Sequence, residues 1–369
     1  MQEERKMILK MIEDGKISAE EGLQLLNALK DDKKGTSDVE YEKKSSERSV
    51  STDVEWEKGA DYRYKSEPRT SSFATKFTEF IEEAVQKIKE FDLDFNFGSS
   101  IEIEHIFQHR DSAIEVVDVS LENGSVTFKP WEERDVRVEC NVKVYKVRDS
   151  EEARNAFLDE VTFEVSDRKL RLHSPRKTMK VNTIIYVPKE YLEKVKLYAF
   201  NGRIIGDTVD VEKIEVKTVN GRISFDDVLA VSGLFETVNG SITIGKLDVE
   251  NCDTKTVNGT ISVNALKGKL DAETLNGSIK YTLADTVESR AYIKTTTGSI
   301  IVVVPKDVKT EGELKSTVGS IHCDLPELSI IEEKKEFASK QMSFLSNKEG
   351  KASFYVEAEA TTGSIHVRN

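Results

Sequence analysis

The side chains able to do acid–base, nucleophilic or metal chemistry are few in this sequence, and their spacing is poor for it. There are five histidines, His105, His109, His173, His322 and His366. His105 and His109 have the i, i+4 spacing by which a helix offers two imidazoles to one metal ion. No glutamate lies between them as HExxH chemistry needs, and their surroundings predict strand and turn. His322 and His366 each follow a recurring isoleucine at the same phase, as exposed strand positions would. The cysteines, Cys140, Cys252 and Cys323, are widely spaced and form no CxxC pair. They predict buried, reduced thiols rather than a disulfide framework or a zinc site. Ser241, Ser278, Ser299, Ser320 and Ser364 all follow glycine, and that repetition argues against a unique nucleophile; GxSxG, Walker A and GxGxxG motifs are absent. Asp207 and Asp210 are matched one repeat later by Asp226 and Asp227, but the next repeat offers Gly245 and Lys246. Asp248, Asp253 and Asp271 do not recur at one phase with basic partners either. The paired carboxylates of glycan hydrolysis are therefore not assembled. The sequence assigns no catalytic residue, no cofactor and no metal ligand.

What the chain does carry is a phrase. Asn-Gly-x-Ile occurs at Asn201-Gly202, Asn220-Gly221, Asn239-Gly240, Asn258-Gly259 and Asn276-Gly277. Variants follow at Gly298, Gly319 and Gly363, and an early, isolated copy sits at Asn123-Gly124-Ser125-Val126. From Gly202 the steps between glycines are 19, 19, 19, 18, 21, 21 and 44 residues, the last being two periods with an insertion. A fixed period of this size predicts stacked units, each burying its apolar face against its neighbours. The expected fold is mainly β, with a parallel β-solenoid of 19–21-residue coils, each made of two or three short strands. Asn-Gly would supply a corner by tolerating positive φ. Ile204, Ile223, Ile242, Ile261, Ile279, Ile300, Ile321 and Ile365 would fill the inside as one column, and the asparagine amides would bond along the stack. An antiparallel meander with type I′ turns gives no reason for the phase to persist.

Four segments are expected around this pattern. Residues 1–30 predict a helical hairpin, with Ile8, Met11 and Ile12 on one apolar face and Leu23, Leu26 and Leu29 on the other; Ser18-Ala19-Glu20-Glu21 is a capping box opening the second helix. So small a hairpin is marginal unless it self-associates or binds a partner. Residues 31–70 are polar and aperiodic, as in a disordered linker. Residues 71–95 hold an amphipathic helix with Phe73, Phe77, Phe80, Ile81, Ala84, Val85, Ile88 and Phe91 on one side. It is expected to cap the open end of the stack, or else to lie in a membrane interface. Its polar face mixes acids and bases, which favours the cap. Residues 96–369 form the β domain, with one short helix opening at Asp149-Ser150-Glu151-Glu152.

The net charge of −13 disfavours nucleic acid as a partner and simple docking on anionic lipid. No stretch is apolar enough to cross a membrane, and no secretory h-region follows Met1-Gln2-Glu3-Glu4-Arg5-Lys6. The expected location is cytoplasmic, at most peripheral at the membrane, with surface exposure left open.

The order of these parts resembles a known family. The opening Glu3-Glu4-Arg5-Lys6 and the run Ile12-Glu13-Asp14-Gly15-Lys16-Ile17-Ser18-Ala19-Glu20-Glu21-Gly22-Leu23 resemble a SHOCT-like helical domain, over residues 3–29. The repeats over 100–369 resemble an adhesin-like β-repeat domain. Together they resemble the bacterial YvlB/LiaX-type proteins. The resemblance implies a Gram-positive, envelope-stress-linked protein without catalysis, whose partners are proteins, among them membrane-embedded regulators. Two alternatives remain at this point: a β-helix enzyme acting on cell-wall polysaccharide, with Asp226 and Asp227 as its acids, and an exported adhesin.

Overall fold

The computed structural model describes residues 72–90 and 99–369, apart from 191, 286 and 336–338. The hairpin face at Ile8, Met11, Ile12, Leu23, Leu26 and Leu29, the linker at 31–70 and residues 91–95 lie outside the described residues. The described chain opens with helix α1 (Ser72–Glu90) and strand β1 (Ser100–His109).

The protein is a parallel β-solenoid. Strands β8 (Leu192–Asn201), β9 (Ile204–Asn220), β10 (Ile223–Asn239), β11 (Ile242–Asn258) and β12 (Ile261–Asn276) each run parallel to the next. Asparagine pairs with asparagine and isoleucine with isoleucine, because every coil presents its neighbour with the same residue at the same place. β9, β10 and β11 are continuous strands of 17 residues that wrap the coil, where shorter strands were expected. β12 has 16 residues, and its pairing with β11 shifts register between Ile244 and Asn251 to absorb the difference. Ile204, Ile223, Ile242, Ile261, Ile279, Ile300 and Ile365 are at most 1% exposed and form one inner column. Ile321, at the end of the stack, is only half-buried.

Both ends of the stack depart from sequence order. The Asn123 copy is not isolated: β2 (Val116–Asn123) and β3 (Val126–Trp131) are the coil on which β8 and β9 stack, with Asn123 opposite Asn201 and Val126 opposite Ile204. Between this coil and β8 the chain builds the end-piece. β4 (Val136–Tyr145) lies antiparallel to β1 and to β7 (Met179–Pro188), and β5 (Thr162–Ser166) lies antiparallel to β6 (Lys169–Ser174). Helix α2 (Ser150–Glu160) covers β1 and β4. It opens at the expected cap, where the Asp149 carboxylate accepts from the N–H groups of Glu151 and Glu152. Its buried Phe157 meets the rings of Phe107 and His105.

At the other end, β13 (Ile279–Leu283), β14 (Ser289–Thr297) and β15 (Ile300–Val303) continue the stack. The coil that follows in sequence, β16 (Val308–Val318) with β17 (Ile321–Asp324), does not rest on them. The last coil, β20 (Ala352–Thr362) with β21 (Ile365–Arg368), lies between, parallel to β14 and β15 on one side and to β16 and β17 on the other. The inner column therefore runs Ile300, Ile365, Ile321. The residues that stretch the last glycine interval form an antiparallel hairpin, β18 (Ser329–Lys335) and β19 (Lys340–Ser346), with β19 closing the outer edge of β16.

Helix α1 does not cap an end, as the sequence suggested. It lies along the flank. Phe80 and Ala84 are buried against Phe200, Val219 and Val238, with Phe77, Tyr198 and Val257 beside them. Phe200, Val219, Val238 and Val257 each stand immediately before a corner asparagine and point outward, so stacking makes them an external apolar stripe. An amphipathic helix covers that stripe, while the ends are already closed by β strands and α2.

Candidate binding surface at the asparagine corner

The corner is built from three ladders. Asn220 donates through Nδ2 to Oδ1 of Asn201 (2.8 Å), Asn239 to Asn220 (2.9 Å), Asn258 to Asn239 (2.9 Å) and Asn276 to Asn258 (3.0 Å). Asn201 donates to Asn123, which donates to the carbonyl of Lys177. The ladder bonds along the stack as expected, and it does so at the surface: Asn220, Asn239 and Asn258 are exposed and Asn201 and Asn276 half-exposed. Just inside it, Thr218, Thr237, Thr256, Thr274 and Thr295 donate through Oγ1 to the carbonyls of Gly202, Gly221, Gly240, Gly259 and Gly277 at 2.8–3.0 Å. These threonines are at most 1% exposed, so each hydroxyl has its partner within the wall.

The glycines form the third ladder, and the physical reason for them differs from the one expected. Of the corner glycines, only Gly124, Gly298 and Gly363 take a positive φ of +130°, +143° and +145°. What excludes a side chain at the others is the coil beneath. A Cβ on Gly221, Gly240, Gly259 or Gly277 would lie 1.9–2.1 Å from the carbonyl oxygen of the preceding corner glycine, and one on Gly202 1.7 Å from that of Gly124. Gly319 meets Gly363 in the same way, and Gly363 meets Gly298. The stack closes through backbone-to-backbone contact at this corner.

The residue after each corner glycine faces outward. At Ser278, Ser299, Ser364 and Ser320 the position is used locally: Ser278 Oγ accepts from the Ser299 N–H and Ser364 Oγ from the Ser320 N–H. The serines read as repeated hydroxyls thus bridge coils. In the first coils the same position holds Ser125, Arg203 and Arg222. Here an open groove of about 670 Å³ is lined by Lys180 and Arg203, by Asn141, Asn182, Asn201 and Asn220, and by no carboxylate. Asn182 accepts through Oδ1 from both the N–H and the Oγ of Ser125, which leaves its amide NH2 to act as a donor. Nothing in the repeat phrase pointed to this groove. Its signal is the break in the phrase, where the residue after Gly202 and Gly221 becomes arginine while later coils carry serine or threonine.

The other chemistry-bearing residues are dispersed. His105 and His109 lie on β1, where four residues span about 13 Å, too far to share a metal ion. His105 packs on Phe107 and Phe157, and burial followed by the Arg154 charge lowers its pKa. His322 and His366 stack at 4.9 Å on β17 and β21, and His322 Nε2 shares a hydrogen with Ser320 Oγ at 2.9 Å. Asp207 is paired with Lys129 and Asp227 with Lys246, each at 3.6 Å, so the acids form surface ion pairs with lysines of other coils. Cys140 and Cys252 are buried and Cys323 half-buried; desolvation pushes Cys140 and Cys323 up to about 12 and raises Cys252 as well. Thiols held protonated in this way are poor nucleophiles. Among the described residues, no three His, Cys, Asp or Glu side chains converge on a common point. No helix among them is long and apolar enough to cross a membrane.

Known proteins share both parts of this architecture. Residues 114–368 match the Toastrack DUF4097 family, and residues 3–34 match a SHOCT-like domain. The uncharacterized protein YvlB of Bacillus subtilis (strain 168) is 37% identical over 368 residues, spanning 100% of this chain and 99% of its own. Among solved structures, a protein of Bacteroides fragilis described as a "putative adhesin" is 11% identical, with a TM-score of 0.42 over 72% of this chain and 97% of its own. A protein of Parabacteroides distasonis described as a "putative lipid binding protein" is 10% identical, with a TM-score of 0.40 over 72% and 96%. With its repeat coils matched almost from first strand to last, and a full-length relative at this identity, the chain belongs to the Toastrack DUF4097 family.

Proposed function

We propose that the chain is a non-enzymatic binding protein with two working parts, acting in the cell-envelope stress response. Residues 1–30, read from sequence as a helical hairpin, capture a protein partner or a second copy of themselves, and membrane-embedded regulators are the partner class. The solenoid holds a second, extended surface. The observation that supports this reading is how the repeat spends its residues. Isoleucine fills the core, threonine and glycine close the wall, and asparagine ties the corner, so the repeated side chains serve the stack. Asp207, Asp227 and Asp248 pair with lysines of neighbouring coils rather than facing one another across a cleft.

The test is a crosslinking pull-down from membranes of stressed cells, with the full chain and with a variant lacking residues 1–30. The expected result is that the deletion abolishes capture while thermal unfolding of the β domain is unchanged. Capture that survives the deletion would refute this division of roles.

A further inference from the structure

We propose that the groove at the Asn123–Asn220 corner is an anion site, with Lys180 and Arg203 as its charged donors and Arg222 extending it by one coil. In a chain of net charge −13, cations usually sit beside carboxylates. Lys129, Lys143, Lys169, Lys217, Lys246 and Lys267 all do so here. Lys180 and Arg203 are exposed in a groove without a single aspartate or glutamate in its lining. Arg222 stands in phase with Arg203 at the adjacent corner, one coil or about 4.8 Å along the stack, with its carbonyl accepting from the Ile204 N–H.

The neutral groups are also turned to donate. An Asn amide nitrogen carries two hydrogens, and the ladder uses one of them. Asn201 and Asn220 each spend one on the coil before, keeping one for a ligand. Asn182 has committed its oxygen to Ser125 and presents its NH2. A row of donors and guanidinium groups without acidic neighbours matches a ligand with several acceptor oxygens, phosphate or carboxylate. The groove is open, and the exposed amide ladder continues beyond it through Asn239 and Asn258, so the surface fits a chain bearing such groups better than a single ion.

The proposal rests on reading the solenoid as a binding surface. It fails separately from the role given to residues 1–30, because the assay reports on the stack alone. Full-length protein is titrated by calorimetry with polyphosphate, polygalacturonate, inorganic phosphate and, as an uncharged control, dextran. Polyphosphate or polygalacturonate is expected to bind, the tighter one naming the anion, with inorganic phosphate weaker and dextran silent. Arg203→Glu and the double variant Lys180→Ala/Arg203→Ala are expected to lose about tenfold or more in affinity, the scale of a charged hydrogen bond. Lys267→Ala is expected to lose nothing, and all variants should unfold at the parent temperature. No binding of either polymer at millimolar concentration, equal binding of dextran, or unchanged affinity in the Arg203 variants would each overturn the assignment.

Discussion

At the corner the decisive quantity is the distance between one glycine and the next. A methyl group on Gly240 would lie 1.9 Å from the Gly221 carbonyl oxygen, so the two coils must separate to admit it. Gly240→Ala is expected to cost about 3 kcal/mol or more in a chemical-denaturation measurement, within the range reserved for backbone clashes. Gly233 is the comparison, since its added Cβ would meet side-chain atoms at 3.2 Å rather than backbone at 1.9 Å, and Gly233→Ala should cost clearly less than Gly240→Ala. Thr256→Val keeps the volume but removes the 3.0 Å bond to the Gly240 carbonyl, at an expected cost of about 1–2 kcal/mol. Asp253 titrates oddly for a distinct reason. Burial, then the Asp271 charge on the neighbouring strand, lifts its pKa to about 6. An acid whose folded pKa lies above its unfolded value of about 4 destabilises the fold once ionised. Stability should therefore rise as pH falls from 6 toward 4, and Asp253→Asn should raise Tm at pH 7 and flatten that rise. A parent and variant with the same pH profile would refute the assignment.

Among the elements, α1 is held from outside the stack, by a few apolar side chains and the 2.7 Å ion pair of Lys87 with Glu122. Beneath it lie charged groups, Glu236 and Lys255, with Lys217 bridging to Glu236 at 2.7 Å. Phe80→Ala should therefore release the helix without unfolding the solenoid. The expected signature is loss of hydrogen-exchange protection in residues 72–90, with protection in β9–β11 retained. Joint loss in both would mean that the helix and the stack form one cooperative unit. The amphipathic pattern made this helix legible in sequence. Its seat was not, because the stripe it covers exists only once Phe200, Val219 and Val238 have been stacked.

For the whole molecule, the order of coils matters most. One outward column runs Lys217, Glu236, Lys255, Glu273, Lys294 along the stack, then Glu359 and Lys315. Charges alternate throughout, and only the intercalated order keeps them alternating. Lys294 and Lys315 flank Glu359 at 3.5 and 3.4 Å. Burial acts to raise its pKa, but the two lysines hold it below the ordinary carboxylate value. Glu359→Lys would place three lysines in succession, and this half-buried site should lose about 1 kcal/mol, relieved by high salt. Removing residues 352–369 should do far more than trim an end, since β20 and β21 are paired on both edges. Protection in β14–β17 should fall together. A truncated chain that keeps β16 and β17 protected would contradict the intercalation.

The period of the glycines, the strict phase of Ile, Thr and Asn, and the cap at Asp149 are local or repetitive properties, and the sequence alone determined the parallel stack from them. A repeat dictates its own neighbour, because identical coils pair best in register. Tertiary structure decided the matters that repetition leaves degenerate. It stacked the Asn123 copy between β6–β7 on one side and β8–β9 on the other, and slid the last coil between two earlier ones. It also laid α1 on the flank and set the asparagine ladder at the surface. Each depends on contacts between residues distant in sequence whose local preferences would fit several places equally well. The donor-rich groove belongs to this second class: Lys180 comes from β7 and Arg203 from the turn between β8 and β9, and only the pairing of β3 with both β7 and β9 brings them to one corner.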